Sequence, residues 1–284
     1  MTDAPASTPD GLARDRVHVE REYGVQKWPA VARLIERHAA AEPTGSGSLA
    51  RVHRLVARDY AYSGDPLATI EVQLGGARQQ LPAAIAIGGA ERLLADSVVD
   101  LCTPRTDLVI ELGCGWGWHV LGAWLSGGPR DAFYVGAEFT AAGRGAAERL
   151  AGLEPALSFR AHDFDYHDPA TLSSLGTFRE AVVFTAHSIE QIPQLSRGLV
   201  QAIAGLAPTV RCLHFEPVGW QVDEDIGGGS SRAYAERHDY SRNLVSVLRD
   251  EEAAGALRID AIETNVFGLN PDNATTIVRW SAGA

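Results

Sequence analysis

The stretch Asp107–Trp124, DLVIELGCGWGWHVLGAW, decides the fold of this chain. It opens with a short apolar run that ends on an acid, Glu111, and near-continuous hydrophobic residues are typical of a buried parallel strand. Glycine then stands at every second position, at Gly113, Gly115 and Gly117, which permits a tight turn and lets a ligand lie against bare backbone. The residues that follow can begin a helix whose free N–H groups face the turn. A strand, a glycine turn and a helix N-terminus in this order predict a nucleotide-type site.

Apolar runs and helical segments alternate after this turn. Further strands are predicted at 132–137, 156–161, 180–186 and 210–215, with helices between them. Two last strands, at 258–268 and 274–281, flank the short turn LNPDN, which favours an antiparallel hairpin. This pattern predicts an α/β fold, a doubly wound, seven-stranded, mostly parallel sheet with a C-terminal antiparallel hairpin. Ligands of such sheets bind at the carboxyl ends of the strands, where the strand order reverses.

Residues 1–87 carry amphipathic helices but no motif. The better segments are WPAVARLIERHAA at 28–40 and a second helix at 49–62, while ATIEVQL at 68–74 fits either a short strand or a helix turn. We therefore expect two parts, an N-terminal helical extension at 1–87 and a nucleotide-binding domain at 88–284. The extension is expected to close over the open edge of the site as a lid.

The spacing of the glycines in the turn restricts the class of ligand. A dinucleotide fingerprint G-x-G-x-x-G needs glycine at position 118, where Trp118 stands. The sequence E-L-G-C-G-W-G instead resembles motif I of the class I S-adenosylmethionine (SAM) dependent methyltransferases. The resemblance covers about residues 88–284 and is specific only at the first strand and turn. It implies SAM as cofactor and S-adenosylhomocysteine (SAH) as product.

The resemblance also implies residues that bind the cofactor. Glu138 ends the second strand, 21 residues after Gly117, where an acid can accept hydrogen bonds from both ribose hydroxyls. Asp163 and Phe164 follow the third strand and match an acid for the adenine amino group with an apolar neighbour, and Asp165 is the second choice for that acid. The full expected set is Glu111, Gly113, Gly115, Gly117, Glu138, Asp163 and Phe164.

Four residues are candidates for the chemistry. His187 follows the fourth strand, where a side chain can reach the acceptor, and a positioned base contributes about 10²–10⁴-fold to such a step. Glu190 can orient His187 or hold a substrate cation. Glu216 ends the fifth strand and is expected to point toward the same crevice. His238 is the rival base, on a helix expected at about 236–254, where it shares one face with Arg242 and Val245.

Composition restricts the partners. The 284 residues carry a formal net charge of −11 with no basic block, so nothing indicates a nucleic-acid interface. The three cysteines form no C-x-x-C pair, and no short ligand pair predicts a metal site. No signal peptide or long apolar span is visible, which predicts a cytoplasmic protein without membrane contact. The sequence leaves a homodimer open.

The function predicted is methyl transfer from SAM to a small-molecule acceptor in specialised metabolism. Oxygen is the favoured acceptor atom, because a histidine base is present and the Asn/Asp-Pro-Pro-Tyr/Phe tetrapeptide of many amino-directed enzymes is missing. Nitrogen stays open, since Glu190 and Glu216 would hold a cationic amine. Three alternatives remain: a peptide or protein methyltransferase, an NAD-dependent oxidoreductase, and a non-catalytic partner subunit of the same fold.

Overall fold

The computed structural model describes residues 16–42, 44–61 and 65–283. Its strands match the predicted ones to within a few residues, and two more precede them. No helix in these residues is both long and apolar enough to cross a membrane. The strands are β1 Thr69–Leu74, β2 Ala77–Pro82, β3 Leu108–Leu112, β4 Phe133–Glu138, β5 Phe159–Asp163, β6 Glu180–Ala186, β7 Thr209–Glu216, β8 Arg258–Gly268 and β9 Thr275–Gly283.

All nine strands form one sheet in the order β2-β1-β8-β9-β7-β6-β3-β4-β5. The five from β7 to β5 run parallel, and β9 runs antiparallel between β7 and β8. The chain first winds outward from β3 to β5 and then continues on the other side of β3 with β6, so the strand order reverses between β3 and β6. The doubly wound sheet with a C-terminal antiparallel hairpin is therefore confirmed.

The hairpin β1–β2 extends this sheet at one edge. Gly75 and Gly76 both have positive φ at its turn, and Gln73 and Leu74 pair with Gly268 and Phe267 of β8. The segment that fitted either a strand or a helix turn is thus a strand. The residues before β3 are not all helical, and part of them belongs to the main sheet.

Helices cover both faces of the sheet. They are α1 Arg16–Val19, α2 Trp28–Ala39, α3 Ser48–Ala61, α4 Ala83–Leu101, α5 Trp118–Leu125, α6 Ala141–Ala151, α7 Arg197–Ala204, α8 Ser230–Arg237 and α9 Leu244–Ala253, with a π-helix at Glu20–Lys27 between α1 and α2. One face of the sheet packs against α7, α9 and the short 3₁₀ helix Pro169–Leu175, and the other against α2, α3, α4, α5 and α6. Because β3 lies between these layers, all five of its residues are buried.

The N-terminal helices α2 and α3 share a hydrophobic core with the sheet. Val31 and Ile35 of α2 and Val52 of α3 are at most 1% exposed, and they belong to the same cluster as Val120 and Leu150. Their amphipathic faces are thus buried against the helices next to the glycine turn. This packing fixes the position of the segment that reaches the site.

The prediction of a single helix at about 236–254 is wrong. The chain forms α8 and α9 instead, because α8 ends at Arg237 and Asp239 adopts a left-handed conformation with φ 53°. Tyr240 N–H donates to the carbonyl of Ala235, which closes the end of α8. His238, Arg242 and Val245 therefore do not lie on one face of a continuous helix.

Candidate active site

A cavity of about 270 Å³ opens at the carboxyl ends of β3, β4, β5 and β6. It lies where the strand order reverses, as the fold predicts. The N-terminal segment and the first turn of α5 complete its wall. Its lining includes Arg16, Tyr23, Trp28, Tyr60, Glu111, Gly113, Gly115, Trp116, Trp118, His119, Glu138, Phe139, Phe164, Asp165, Tyr166, His187, Ser188 and Gln191.

The glycine turn requires glycine for two reasons. Gly113, Gly115 and Gly117 have φ of 75°, 54° and 84°, a region that side chains disfavour. A Cβ on Gly113 would lie 2.4 Å from Cβ of Ser188, and one on Gly115 would lie 2.7 Å from the indole of Trp28. Gly113 and Gly115 line the cavity, whereas Gly117 precedes α5 and acts through its backbone.

Glu111 is fully buried at the end of β3 and connects the strand to α5. Its Oε2 accepts from the N–H of Val120 at 2.9 Å, and its Oε1 bonds Nδ1 of His119 at 3.0 Å. Burial raises the pKa of the carboxyl group, and His119 and the Val120 N–H oppose that rise. Nε2 of His119 has no hydrogen-bond partner among the described residues, and the ring lines the cavity. Glu111 therefore holds an imidazole that lines the cavity, a role that the sequence pattern did not predict.

Glu138 lies at the end of β4 and lines the same cavity. Its Oε1 accepts from the N–H and hydroxyl of Thr140 at 2.8 and 2.7 Å, and its Oε2 accepts from Gly115 N–H at 3.0 Å. Burial raises the pKa of this carboxyl group, while these hydrogen bonds and Arg144 oppose the rise. Oε2 keeps acceptor capacity for a ligand, because a carboxylate oxygen has two lone pairs.

Phe139 and Phe164 line the cavity next to Glu138, but Asp163 does not. Asp163 is the last residue of β5, and its exposed side chain pairs with Arg144 at 2.9 Å. Two residues later, Asp165 lines the cavity and pairs with Arg16 at 2.7 Å. The structure therefore brings the second-choice acid, and not Asp163, to the cavity. Phe164 is 1% exposed and lies where it was expected.

His187 follows β6 in a left-handed conformation with φ 49°. Its Nδ1 bonds Oε2 of Glu190 at 3.0 Å, and its Nε2 bonds the Thr275 hydroxyl at 2.7 Å. Burial lowers the pKa of this imidazole, but Glu190 and Glu216 outweigh burial and raise it above the ordinary value. The geometry matches a histidine whose Nδ1–H is held by a carboxylate, with Nε2 as the basic atom. Glu190 stands behind the ring and does not line the cavity.

Glu216 is completely buried and does not line the cavity. Its Oε1 accepts from the N–H groups of Ser188 and Ile189, and its Oε2 accepts from the N–H of Glu190, all at 3.1 Å. Burial raises the pKa of Glu216 to about 7. The carboxylate thus holds the backbone of the loop after β6, and both oxygens face that loop and not an acceptor.

His238 lies outside the cavity lining, at the end of α8. Its Nδ1 bonds the carbonyl of Tyr234 at 2.8 Å, and its ring stacks on that of Tyr234 at 4.1 Å. The left-handed turn at Asp239, which ends α8, positions it there. The structure therefore does not bring the rival base to the site.

Sequence reasoning missed a hydroxyl network as well as His119. Tyr166 donates to the Leu112 carbonyl at 2.8 Å and lies 2.7 Å from the Ser188 hydroxyl. Nothing in the sequence links these residues, because β3, β5 and β6 bring them together only in three dimensions. His119 offered a signal, since the first turn of a helix after a strand returns to that strand's end. The described residues contain no group of three or more metal-ligating side chains.

Neither a family model nor a curated protein matches the sequence. Among solved structures, magnesium protoporphyrin IX methyltransferase from Synechocystis PCC 6803 with bound SAH shares 17% identity over 71% of this chain and 86% of its own, with a TM-score of 0.46. An O-methyltransferase from Streptomyces achromogenes involved in tomaymycin synthesis, with bound SAM, shares 17% identity over 69% and 80%, with a TM-score of 0.45. A ribosomal protein L11 methylase from Lactobacillus delbrueckii shares 12% identity over 69% and 79%, with a TM-score of 0.42.

The likeness to these three proteins carries no statement about an acceptor. The sheet itself has the order β5-β4-β3-β6-β7-β9-β8, with β9 antiparallel and acids ending β4 and the buried run of β3. These strand positions and directions agree with the doubly wound sheet and closing antiparallel hairpin that the resemblance to the class I S-adenosylmethionine-dependent methyltransferases implies.

Proposed function

We propose that this protein is a SAM-dependent methyltransferase acting on an oxygen of a small molecule. One observation carries the proposal: Glu138, the glycine turn and His187 line a single cavity at the point where the strand order reverses. A nucleoside-binding acid and a histidine base then face one ligand space. The acceptor atom and its molecule are the parts of the proposal that go furthest beyond the fold.

The side chains present fit the cofactor. Oε2 of Glu138 would accept from a ribose hydroxyl, and Phe139 and Phe164 would cover the adenine. Asp165 would accept from the adenine amino group in place of Asp163. Gly113 and Gly115 line the cavity with bare backbone, against which the amino-acid end would lie, and His119 lines the same cavity. When bound, SAM supplies a methyl group already activated on a sulfonium.

The chain's own contribution is to position the acceptor and take up its proton. His187 would accept the proton of a hydroxyl at Nε2, in place of the hydrogen bond that Nε2 makes with the Thr275 hydroxyl, while Glu190 holds Nδ1–H. The carboxylate oxygens of Glu190 accept hydrogen bonds from His187, Gln191 and Asn273. Those of Glu216 accept hydrogen bonds from backbone N–H groups. Neither acid is then free to hold a cationic amine, which favours oxygen over nitrogen as the acceptor atom.

Two alternatives fit the site less well. An NAD-dependent oxidoreductase would have the strand order 3-2-1-4-5-6, whereas here the antiparallel β9 stands between β7 and β8. A protein or peptide acceptor would need an open approach to the cavity, which residues of the N-terminal segment, among them Tyr23 and Trp28, partly cover. A small molecule suits this partly enclosed cavity better.

Ligand-dependent melting tests the proposal. A ligand at 100 times its dissociation constant that binds only the folded state adds about 2.7 kcal/mol of stability. We expect SAM and SAH to raise the melting temperature and NAD to leave it unchanged. Incubation with SAM and a panel of phenols, carboxylic acids and amines, followed by detection of SAH, then tests transfer. Stabilisation by NAD and not by SAH would contradict the cofactor assignment.

A further inference from the structure

Five aromatic side chains form one continuous wall of the cavity, and the cofactor half of the site does not use them. Tyr23, Trp28 and Tyr60 come from the N-terminal segment, and Trp116 and Trp118 come from the glycine turn and α5. We name this set the aromatic wall. Each ring centroid lies within 6.4 Å of another member's, from 5.4 Å for Tyr23 with Trp28 to 6.4 Å for Trp28 with Tyr60.

The wall joins two parts of the chain that are distant in sequence. Tyr60 packs edge-on against Trp116 and Trp118, with interplanar angles of 70° and 86°. Trp116 is 1% exposed, whereas Tyr60 is 36% exposed. Buried rings therefore support partly open ones, and the open rings can receive another planar ring by stacking or by edge contact.

The charged side chains that line the cavity have partners within the protein. Among the described residues, Arg16 is the sole arginine of the lining and no lysine belongs to it, and Arg16 pairs with Asp165 at 2.7 Å. The other lining carboxylates, Glu111 and Glu138, already accept hydrogen bonds from the protein. The described lining thus contains no arginine or lysine without a carboxylate partner, and each of its carboxylates already has a partner within the protein. These features favour an uncharged acceptor.

A polar end completes the cavity. His187, Ser188 and Gln191 line it at the end of β6. Gln191 Nε2 donates to Oε1 of Glu190 at 3.0 Å, which fixes the amide with its oxygen turned away from that carboxylate. Gln191 Oε1 is buried and has no hydrogen-bond partner among the described residues. The polar end of the cavity is thus formed by His187, Ser188 and Gln191.

We infer that the acceptor is an uncharged, planar aromatic compound with a ring hydroxyl, its ring against the aromatic wall and its hydroxyl at the polar end. This inference rests on the proposed function and names its substrate class. A phenol meets each feature: a flat π-face, no charge on binding, and a proton that His187 can accept. A methylated ammonium, which aromatic rings can also bind, lacks a free carboxylate beside the wall.

Binding of matched probes tests the substrate class directly. Calorimetric titrations of the SAH-saturated full-length protein would compare 2-naphthol, decahydro-2-naphthol and choline. The first two share a carbon skeleton and a hydroxyl and differ in the π-system. We expect 2-naphthol to bind at least tenfold more tightly than either other probe. Binding of decahydro-2-naphthol within threefold of 2-naphthol, or tighter binding of choline, would overturn the inference.

A variant of the wall with a matched control locates the binding. Tyr60→Leu should weaken 2-naphthol binding at least fivefold and leave the SAH dissociation constant within twofold. Phe178→Leu removes a ring that stacks on Phe133 at the amino end of β4, away from the cavity. This control should change neither the 2-naphthol nor the SAH dissociation constant. Far-UV circular dichroism checks that both variants fold. Equal 2-naphthol affinity in Tyr60→Leu and the parent would also overturn the inference.

SAH binding and the preference for 2-naphthol are measured separately, so the aromatic acceptor and the proposed methyltransferase function can fail independently. SAH binding without preference for 2-naphthol would overturn the aromatic acceptor and leave the methyltransferase assignment standing. Absence of SAH binding would overturn both.

Discussion

At the scale of single residues, Glu138 is the side chain on which we expect cofactor binding to depend most. Glu138→Gln keeps the size of the side chain but removes the charge and one acceptor oxygen beside Gly115. We expect SAH binding to weaken by about 1.5–3 kcal/mol, the range for hydrogen bonds to a charged group. Calorimetry measures it, with the exposed Glu148→Gln of α6 as control. Unchanged affinity in Glu138→Gln would remove this carboxylate from the site.

His187 has a pH dependence that can be measured without an acceptor. Its folded-state pKa is raised above the ordinary value, because Glu190 and Glu216 outweigh the effect of burial. The stability that its charged form contributes is therefore present at low pH and lost as the pH rises through the raised value. We expect an NMR titration to place its pKa above 6.5 and turnover to increase over the same pH range.

Removing the imidazole tests the same assignment by rate. His187→Ala should lower turnover by about 10²–10⁴-fold, the usual contribution of a positioned base, with little change in SAH affinity. His238→Ala serves as the matched control, because that ring lies outside the cavity lining. If His187→Ala keeps more than a tenth of parental turnover, or His238→Ala shows the larger loss, His187 is not the base.

Glu216 predicts a difference in stability between acid and neutral pH. Its folded-state pKa is about 7 against an ordinary 4.5, so the folded protein binds a proton that the unfolded chain releases. Its stabilising effect is present below the ordinary value and is lost as the pH rises through about 7. Urea unfolding at several pH values should show a smaller loss of stability with rising pH in Glu216→Gln than in the parent. Parallel pH profiles would contradict this.

The sequence placed Glu111, Glu138 and His187 correctly at strand ends, because the order of strand, turn and acid is a local pattern. It ranked Asp163 above Asp165, because spacing alone does not show which of the two side chains lines the cavity. It also assigned Glu216 to an acceptor, because the three N–H groups that bind this carboxylate come from another strand's loop. Local spacing predicts which side chains lie at the carboxyl ends of the strands. It does not predict which of them already form hydrogen bonds with other groups of the protein.

At the scale of elements, strand positions followed from apolar runs, whereas the edge hairpin β1–β2 and the break between α8 and α9 did not. The hairpin depends on pairing with β8, about 190 residues away in the chain. The break depends on Asp239, which adopts a left-handed conformation. Glycine usually marks such a position in a sequence, and here it is absent. Both are set by tertiary contacts that a single sequence does not display.

The glycine turn yields a prediction about the contact between two elements. Gly115→Ala would place Cβ 2.7 Å from the indole of Trp28 and in a disfavoured φ. We expect weaker SAH binding and a shifted tryptophan emission, because α2 must move away from the turn. The control is Gly145→Ala in α6, where a Cβ meets nothing within 4 Å. That change should stabilise the helix by up to about 1 kcal/mol. Parental SAH affinity in Gly115→Ala would show that the turn tolerates the methyl group.

At the scale of the whole molecule, the N-terminal helices α2 and α3 share one hydrophobic cluster with the sheet. Ile35 of α2 is fully buried in one cluster with Val120, Leu121 and Leu150, which come from elements that flank the glycine turn. A lid that folds apart from the sheet would have its own small core. The shared cluster instead predicts that a cavity in α2 lowers the stability of the entire protein.

Ile35→Ala tests this coupling. Loss of a buried isoleucine costs about 2–5 kcal/mol, because apolar contacts disappear and a cavity remains. We expect one urea transition, shifted to lower concentration equally by circular dichroism and by tryptophan fluorescence. Val25→Ala, at a side chain that is 65% exposed, should stay within about 0.5 kcal/mol of the parent. An early, partial transition in Ile35→Ala, followed by a sheet transition at the parental midpoint, would show that α2 is a separate lid. The cavity's aromatic wall would then be free to open without unfolding the sheet.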